Sequence, residues 1–415
     1  MQGSDVFENA DQMPLLNAEE AYVAQDNDYP QLIVFTDLSP EEDTSPVPDY
    51  VWDGTTAKPA KGDGTRKNPY LIGTAEELAY VISNGGNGKY YKLTADIYLN
   101  DINKVNWTTG KATGDYEIRT WFDNVAFEGT INGDGHTVYG IYFKTREGAT
   151  WGFTGQGLVP RVNPGKSVTI SKLGVDYAYV SGPNGASAFV GFAGATSASD
   201  ESTDNAIVTI NKCFVGENVT LKGNDVGAFR GGTKNSVTKI SNAYSLATLQ
   251  GVSTGGIVGN IWGGTATITN VFNANGTISS EKWLPYFSMQ NTYATDCGAY
   301  TGEVIVRTQQ NMKGLDVFTN ENKMPKLNAD SAFIVTTGYP VINFEGEEVA
   351  VDAPVKGSGT KDDPYIISTV EELRYVVERA STKGNYYKLG NDIYVNNTKD
   401  PDWMNKNPVK WYSMP

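Results

Sequence analysis

Hydrophobic and polar positions along this chain recur as a phrase, not as a helical stripe. Between Thr137 and Tyr293 the order apolar, polar, any, apolar, aromatic-or-small returns six times: Val138–Tyr142, Ile170–Gly174, Ile210–Phe214, Ile240–Tyr244, Ile268–Phe272 and, more weakly, Met289–Tyr293. The fourth positions are Ile141, Leu173, Cys213, Ala243, Val271 and Thr292. A second phrase, a small residue, an apolar pair or near-pair and a glycine, reads Gly152–Gly155, Ala188–Gly191, Ala228–Gly231 and Gly256–Gly259. Between them lies an apolar-polar-small triplet: Val180–Gly182, Leu221–Gly223, Leu249–Gly251 and Ile278–Ser280.

These pieces are built from Val, Ile, Thr, Phe and Tyr with glycine punctuation, the composition of strands and turns. Self-similarity at a period of tens of residues means that each unit buries its apolar face only against its neighbours. The expected fold class is therefore all-β. It is a parallel β-helix (β-solenoid) with three short strands per coil and neighbouring coils ~4.8 Å apart. The unequal spacing of the copies is expected to reflect loops thrown out at corners, where insertion costs little.

One stretch breaks the strand pattern. Thr74 stands three residues before Glu77, a capping box, and Leu78, Val81 and Ile82 share one helical face before Gly85 and Gly86 stop the run. A short N-terminal α-helix over 74–84 is expected to cap the solenoid's open end, where bare strand edges would invite aggregation.

A longer period overlies the short one. Met1–Phe7 matches Met312–Phe318, Tyr29-Pro30 matches Tyr339-Pro340, Tyr90–Leu93 matches Tyr386–Leu389, and Trp107 matches Trp403. The expected organisation is a tandem array. Residues 1–35 form the C-terminal tail of one unit, and 36–61 a linker rich in Pro, Asp, Glu and Thr. Residues 62–344 form a complete unit, with its helix cap, a β-helix over about 121–306 and a closing segment over 307–344. Residues 345–356 form a second linker, and 357–415 the N-terminal head of the next unit. Met1 aligns with the internal Met312, so the chain is expected to be a piece of a longer protein.

The pattern at Gly357–Leu373, the run Phe127–Ile141, the glycine-apolar-valine-glycine step at Gly255–Gly259 and the closing Gly338–Ile342 resemble bacterial surface proteins bearing GLUG motifs. That resemblance covers nearly all of 62–344. It implies a secreted or surface-attached β-solenoid of adhesin-like or multidomain exported proteins, and no single biochemical activity.

Composition narrows the chemistry. A net charge of −15 argues against nucleic acid or an anionic membrane as partner. No run of 18 apolar residues is present. Of the two cysteines, Cys213 is read as a small core residue, with a Cys213–Cys297 bridge the alternative. The single histidine, His136, has no evident partner in the sequence, and Asp134 is read as a turn residue. Glycoside chemistry needs converging carboxylates, yet Asp176, Glu217 and Asp225 fall at different phases of their coils. Asp362-Asp363 corresponds to Lys67-Asn68 in the other copy. Trp52, Trp107, Trp121, Trp151, Trp262 and Trp283 are read as corner packing, with sugar stacking the alternative.

The expected function is thus a non-enzymatic, repetitive extracellular surface protein, a spacer or adhesin-like module contacting glycans or partner proteins. No catalytic, cofactor or metal residues are expected. Two alternatives stay open: a carbohydrate-active β-helix that binds or cleaves glycans, and a surface or fibre protein that self-associates head to tail.

Overall fold

The computed structural model describes residues 22–23, 31–32, 50–145, 154–195, 197, 200, 204–260, 262–276, 287–295, 304–328, 331–344, 356–370, 372–373, 376, 385–393 and 395. The chain divides into two compact units, Met1–Phe344 and Glu345–Pro415.

The first unit is mostly β and its principal sheets are parallel. Its main strands are β1 (Tyr70–Ile72), β2 (Lys89–Leu93), β3 (Gly129–Asn132), β4 (Ser167–Ser171), β5 (Ala206–Val215), β6 (Val219–Gly227), β7 (Arg230–Ser245), β8 (Thr248–Gly255), β9 (Trp262–Asn273), β10 (Phe287–Ala294) and β11 (Val304–Val306). Omitting β6 and β8, which pair in a second sheet, these strands lie side by side in chain order. Like residues meet across them. Tyr70, Tyr91, Ile131, Ile170, Ile210, Ile240, Ile268 and Met289 form one continuous row of partners. From Tyr91 onward every member is buried, and each such side chain contributes ~1.5–3 kcal/mol gross.

Two further rows follow the same logic. Val180 pairs with Leu221 and Leu221 with Leu249, while Val190 pairs with Arg230 and Arg230 with Val258. Three sets of parallel pairing thus recur in the same chain order, and their inward residues join one core. Cys213 pairs with Ala243, Ala243 with Val271 and Val271 with Thr292, as their shared place in the phrase predicts. Beside them Phe214, Tyr244 and Phe272 stack face to face at 5.4 and 5.0 Å. The segment after β11 packs Met312, Met324 and Phe333 against that aromatic column.

Between the Ile row and the Cys213 row the chain turns a corner. Its pivot residues are Lys172, Lys212, Asn242, Asn270 and Asn291, all left-handed with φ of 50 to 53°. Asparagine tolerates that backbone better than most residues. It also links the turns: Asn242 Nδ2 donates to Asn211 Oδ1 (3.0 Å), Asn270 Nδ2 to Asn242 Oδ1 (3.1 Å) and Asn291 Nδ2 to Asn270 Oδ1 (2.9 Å).

Helix α1 (Ala75–Ser83) has the expected capping box. Thr74 accepts a hydrogen bond from the Glu77 amide, and the Glu77 carboxylate accepts one from the Gly73 amide at 2.8 Å. Leu78, Val81 and Ile82 are buried in the same core as the Ile row.

The structure corrects four sequence expectations. The first copy of the main phrase is Gly129–Asn132, since Ile131 and not Val138 pairs with Ile170. Val138 pairs with Val175, one side further round, and Tyr142 with Tyr179. The first copy of the glycine phrase is likewise displaced: Val159, not a residue of Gly152–Gly155, pairs with Val190. Parallel stacking begins at Tyr70, well before residue 121. Finally, strands are not uniformly short; β5, β7 and β9 run 10, 16 and 12 residues, because ladder hydrogen bonds continue through the corners.

In the second unit Tyr365 pairs with Tyr387 and Ile367 with Leu389 in parallel, the register that Tyr70–Tyr91 and Ile72–Leu93 show in the first. The same capping chemistry returns: Thr369 Oγ1 accepts from the Glu372 amide (3.1 Å), and the Glu372 carboxylate from the Ser368 amide (2.6 Å). Ile278–Ser280 and Trp403 lie outside the described residues.

Candidate functional site

One recess outside the core lies against the second sheet. An outward row runs along it, Tyr142 to Tyr179 to Thr220 to Thr248. Residues Ile102–Ile118 leave the main path here and fold over it as a flap, stiffened by the antiparallel pair Val105–Asn106 with Lys111–Ala112. Val105 and Trp107 of the flap bury themselves on Tyr142 and Tyr179. Trp107 Nε1 donates to the Ile102 carbonyl (2.9 Å), and Tyr142 Oη to the Gly110 carbonyl (2.9 Å). Gly110 has a φ of 63°, and a side chain there would collide with the Tyr179 ring.

Where the aromatic row gives way to threonine, flap and sheet part. The resulting cleft of about 270 Å³ is lined by Asn106, Trp107 and Thr108 on the flap side and by Glu217, Asn218, Thr220 and Thr248 on the sheet side. Its polar groups are partly prearranged. Asn106 Oδ1 accepts from the amides of Thr108 and Thr109 (3.2 and 3.0 Å). Asn218 donates from its amide (3.1 Å) and Nδ2 (3.4 Å) to the Asp176 carboxylate, which leaves its Oδ1 facing elsewhere. Lys222 Nζ reaches the Thr108 carbonyl (3.5 Å) from above the Tyr179 ring.

Asp176 backs this cleft. Its carboxyl group stands where a side chain at Gly216 would stand. Burial pushes its pKa up to about 6, opposed by hydrogen bonds from Tyr177 and Asn218 and reinforced by the nearby charge of Glu217. Asp176 and Glu217, out of phase in the sequence, are therefore neighbours in space. Asp225 is elsewhere, hydrogen-bonded to Asn260 Nδ2 (3.0 Å), and its pKa is raised by burial.

The other singled-out residues have structural places. His136 does have a partner, contrary to expectation: its Nδ1 lies 3.2 Å from Asp96 Oδ1, which also accepts from the Thr137 amide. Asp134 sits in a turn with φ 53° and pairs with Lys92 at 2.8 Å. Asp362 and Asp363 are exposed. Cys213 is buried, and Cys297, Trp151 and Trp283 lie outside the described residues. Trp52, Trp107 and Trp121 are buried, whereas Trp262 is 46% exposed. A second recess of about 360 Å³ lies at the start of α1, beside Tyr50, Asp96 and Tyr98. Among the described residues no group of three His, Cys, Asp or Glu side chains is placed to hold a metal ion.

Sequence reasoning missed a fully buried cation. Arg230 occupies the Val190–Val258 row with no exposed surface. Its Nη1 donates to the Asn260 carbonyl (3.2 Å), while Nε and Nη2 have no hydrogen-bond partner among the described residues. Burial pushes its pKa down to about 9, with Asp225 acting the other way. The only signal was the Arg in Ala228-Phe229-Arg230-Gly231 at a place where its counterparts carry valine.

No family model matches the chain. A stretch of 111 residues is 30% identical to part of halomucin from Haloquadratum walsbyi, covering 26% of this chain and 1% of that protein. Another of 96 residues is 34% identical to part of a protein provisionally named a Gly-rich membrane protein from Evansella cellulosilytica, covering 23% of this chain and 10% of that one. The chain thus spans a small fraction of the curated relatives it matches. Among solved structures, a protein provisionally named an immunoglobulin A1 protease from Bacteroides ovatus aligns over 69% of this chain and 96% of its own. The sequence identity is 16% and the TM-score 0.37, a likeness that carries no argument about fold or activity.

Proposed function

We propose that this chain is a β-solenoid section of a repetitive, exported surface protein, a non-enzymatic spacer with an adhesin-like contact surface. The observation that carries this reading is the recurrence of three parallel pairings in the same order, with like residues in register from β1 to β11. Stacked windings make a rod that lengthens by ~4.8 Å per coil without needing a new core design. The capping box and Tyr–Tyr pairing found again in the second unit favour a tandem array of such rods. The motif resemblance to GLUG-bearing surface proteins and the partial similarity to halomucin point the same way, toward the cell exterior. Two measurements test the reading. Antibody raised to the chain should label intact producing cells, and a reducing-sugar assay over a polysaccharide panel should show no release. Labelling only after lysis would overturn the location, and turnover of any polysaccharide the non-enzymatic role.

A second reading, head-to-tail association, is favoured by one contrast. Leu93 is fully buried under the next winding, whereas its counterpart Leu389 is 57% exposed. A partner strand edge would cover it. Molar mass by light scattering that rises with concentration supports this reading, and a constant monomer mass excludes it.

A further inference from the structure

We infer that the cleft between the 102–118 flap and the second sheet is a binding subsite for an uncharged sugar unit. This rests on the reading of the chain as a surface module that contacts glycans. The cleft has the two components that sugar recognition needs: an apolar wall and several fixed polar groups of both kinds. The small part of the otherwise buried Trp107 that stays exposed (7%) provides the wall, held by its hydrogen bond to Ile102 and edge-on contact with Tyr177 at 6.4 Å. The donors and acceptors are uncommitted. Glu217 is exposed and has no hydrogen-bond or ion-pair partner among the described residues, and the hydroxyls of Thr108 and Thr248 have none either. Asn218 spends its donors on Asp176, so its Oδ1 stays free to accept; Asn106 spends its acceptor within the flap, so its Nδ2 stays free to donate.

Sugar hydroxyls both donate and accept, which suits carboxylate and amide acceptors, an amide donor and threonine hydroxyls set on one cleft. At about 270 Å³ the space is below the ~300–1,000 Å³ of typical drug-sized sites and suits one ring of a longer chain. Charge selects further. Glu217 sits at the mouth of a protein of net charge −15, so uronic or sialic acids are repelled. A cation alone is a poor match, because a calcium site takes six to eight oxygen ligands with several carboxylates, and this cleft offers one.

The test uses the full chain on an array of neutral and acidic oligosaccharides, then titration calorimetry with the strongest neutral binder. Two variants probe the cleft, Glu217→Ala at its mouth and Thr248→Trp filling its floor; both positions are exposed, so folding is kept. Thr267→Trp on the main sheet is the control. Loss of the Glu217 hydrogen bond should weaken binding about tenfold or more, and Thr248→Trp should abolish it, while the control binds as the parent does. Neutral sugar binding that ignores both cleft variants overturns this assignment yet leaves the surface-module reading standing. So does an array with no neutral binder, or one on which acidic sugars bind best. Failure of surface labelling, by contrast, strikes the module reading itself.

Discussion

Arg230 offers the sharpest energetic prediction. It stands where its row neighbours carry valine, with no exposed surface and two guanidinium nitrogens lacking a partner among the described residues. Each unmet donor costs ~1–3 kcal/mol, and stripping water from the cation costs several more. Against this stand one hydrogen bond to the Asn260 carbonyl and the attraction of Asp225, which is not within ion-pair distance. A bond to a charged group returns ~1.5–3 kcal/mol, so the balance is unfavourable. Arg230→Met, which keeps the length and removes the charge, should raise unfolding free energy by about 1–4 kcal/mol. Asp225→Asn should do the reverse, because it leaves the buried cation without its one nearby countercharge. Urea unfolding followed by tryptophan fluorescence, with m-values compared between variants, measures both. A loss of stability in Arg230→Met at unchanged m would refute the reasoning, and would mean that Nε and Nη2 are satisfied by tightly held water or an anion.

Two other perturbations test the structure locally. Asp176 has a folded-state pKa of about 6 against 3.8 for the free group, so folding favours its protonated form. That contribution is complete below pH 3.8 and is lost as pH rises through 6; Asp176→Asn should therefore leave stability near pH 4 unchanged and raise it by about 1–3 kcal/mol at pH 8. Equal effects at both pH values in chemical denaturation would contradict the buried-carboxyl account. At the corner, Asn270→Ala loses two inter-turn hydrogen bonds and leaves on left-handed backbone a residue that tolerates it less well than asparagine, for a cost of about 2–4 kcal/mol. Asn270→Gly escapes the strain and should cost less; the opposite order in urea titrations would show that backbone strain is not what position 270 resists.

How much of this was legible in the chain depends on what the apolar spelling encodes. From Ile170 to Met289 like residues do meet, because a period-2 strand that slips by one residue would turn its core face outward. The first copy went astray because strands of different parallel pairings can share one spelling. Val138-Tyr139-Gly140-Ile141 has the right letters but lies one side beyond Gly129–Asn132, and the corner between them is two residues longer than its counterpart after Ile170. The corner asparagines were in view at the phrase's third position, but a position read as unconstrained hid a backbone requirement shared by Lys172, Lys212, Asn242, Asn270 and Asn291. The cleft was not legible at all. Thr108 and Lys222 are 114 residues apart, and only the folding of the flap over the second sheet brings them together.

Everything rests on windings stacked one per rung, and distances along an outward row read this directly. Thr130, Thr169, Thr209, Lys239, Thr267 and Ser288 are successive partners on one face. Spin labels at Thr130 and Ser288, measured by pulsed dipolar spectroscopy, should lie about 24 Å apart, five spacings of ~4.8 Å, and labels at Thr130 and Thr267 about 19 Å apart. Distances that fail to grow by one rung from the second pair to the first, or a broad distribution beyond about 30 Å, would contradict the stacked architecture.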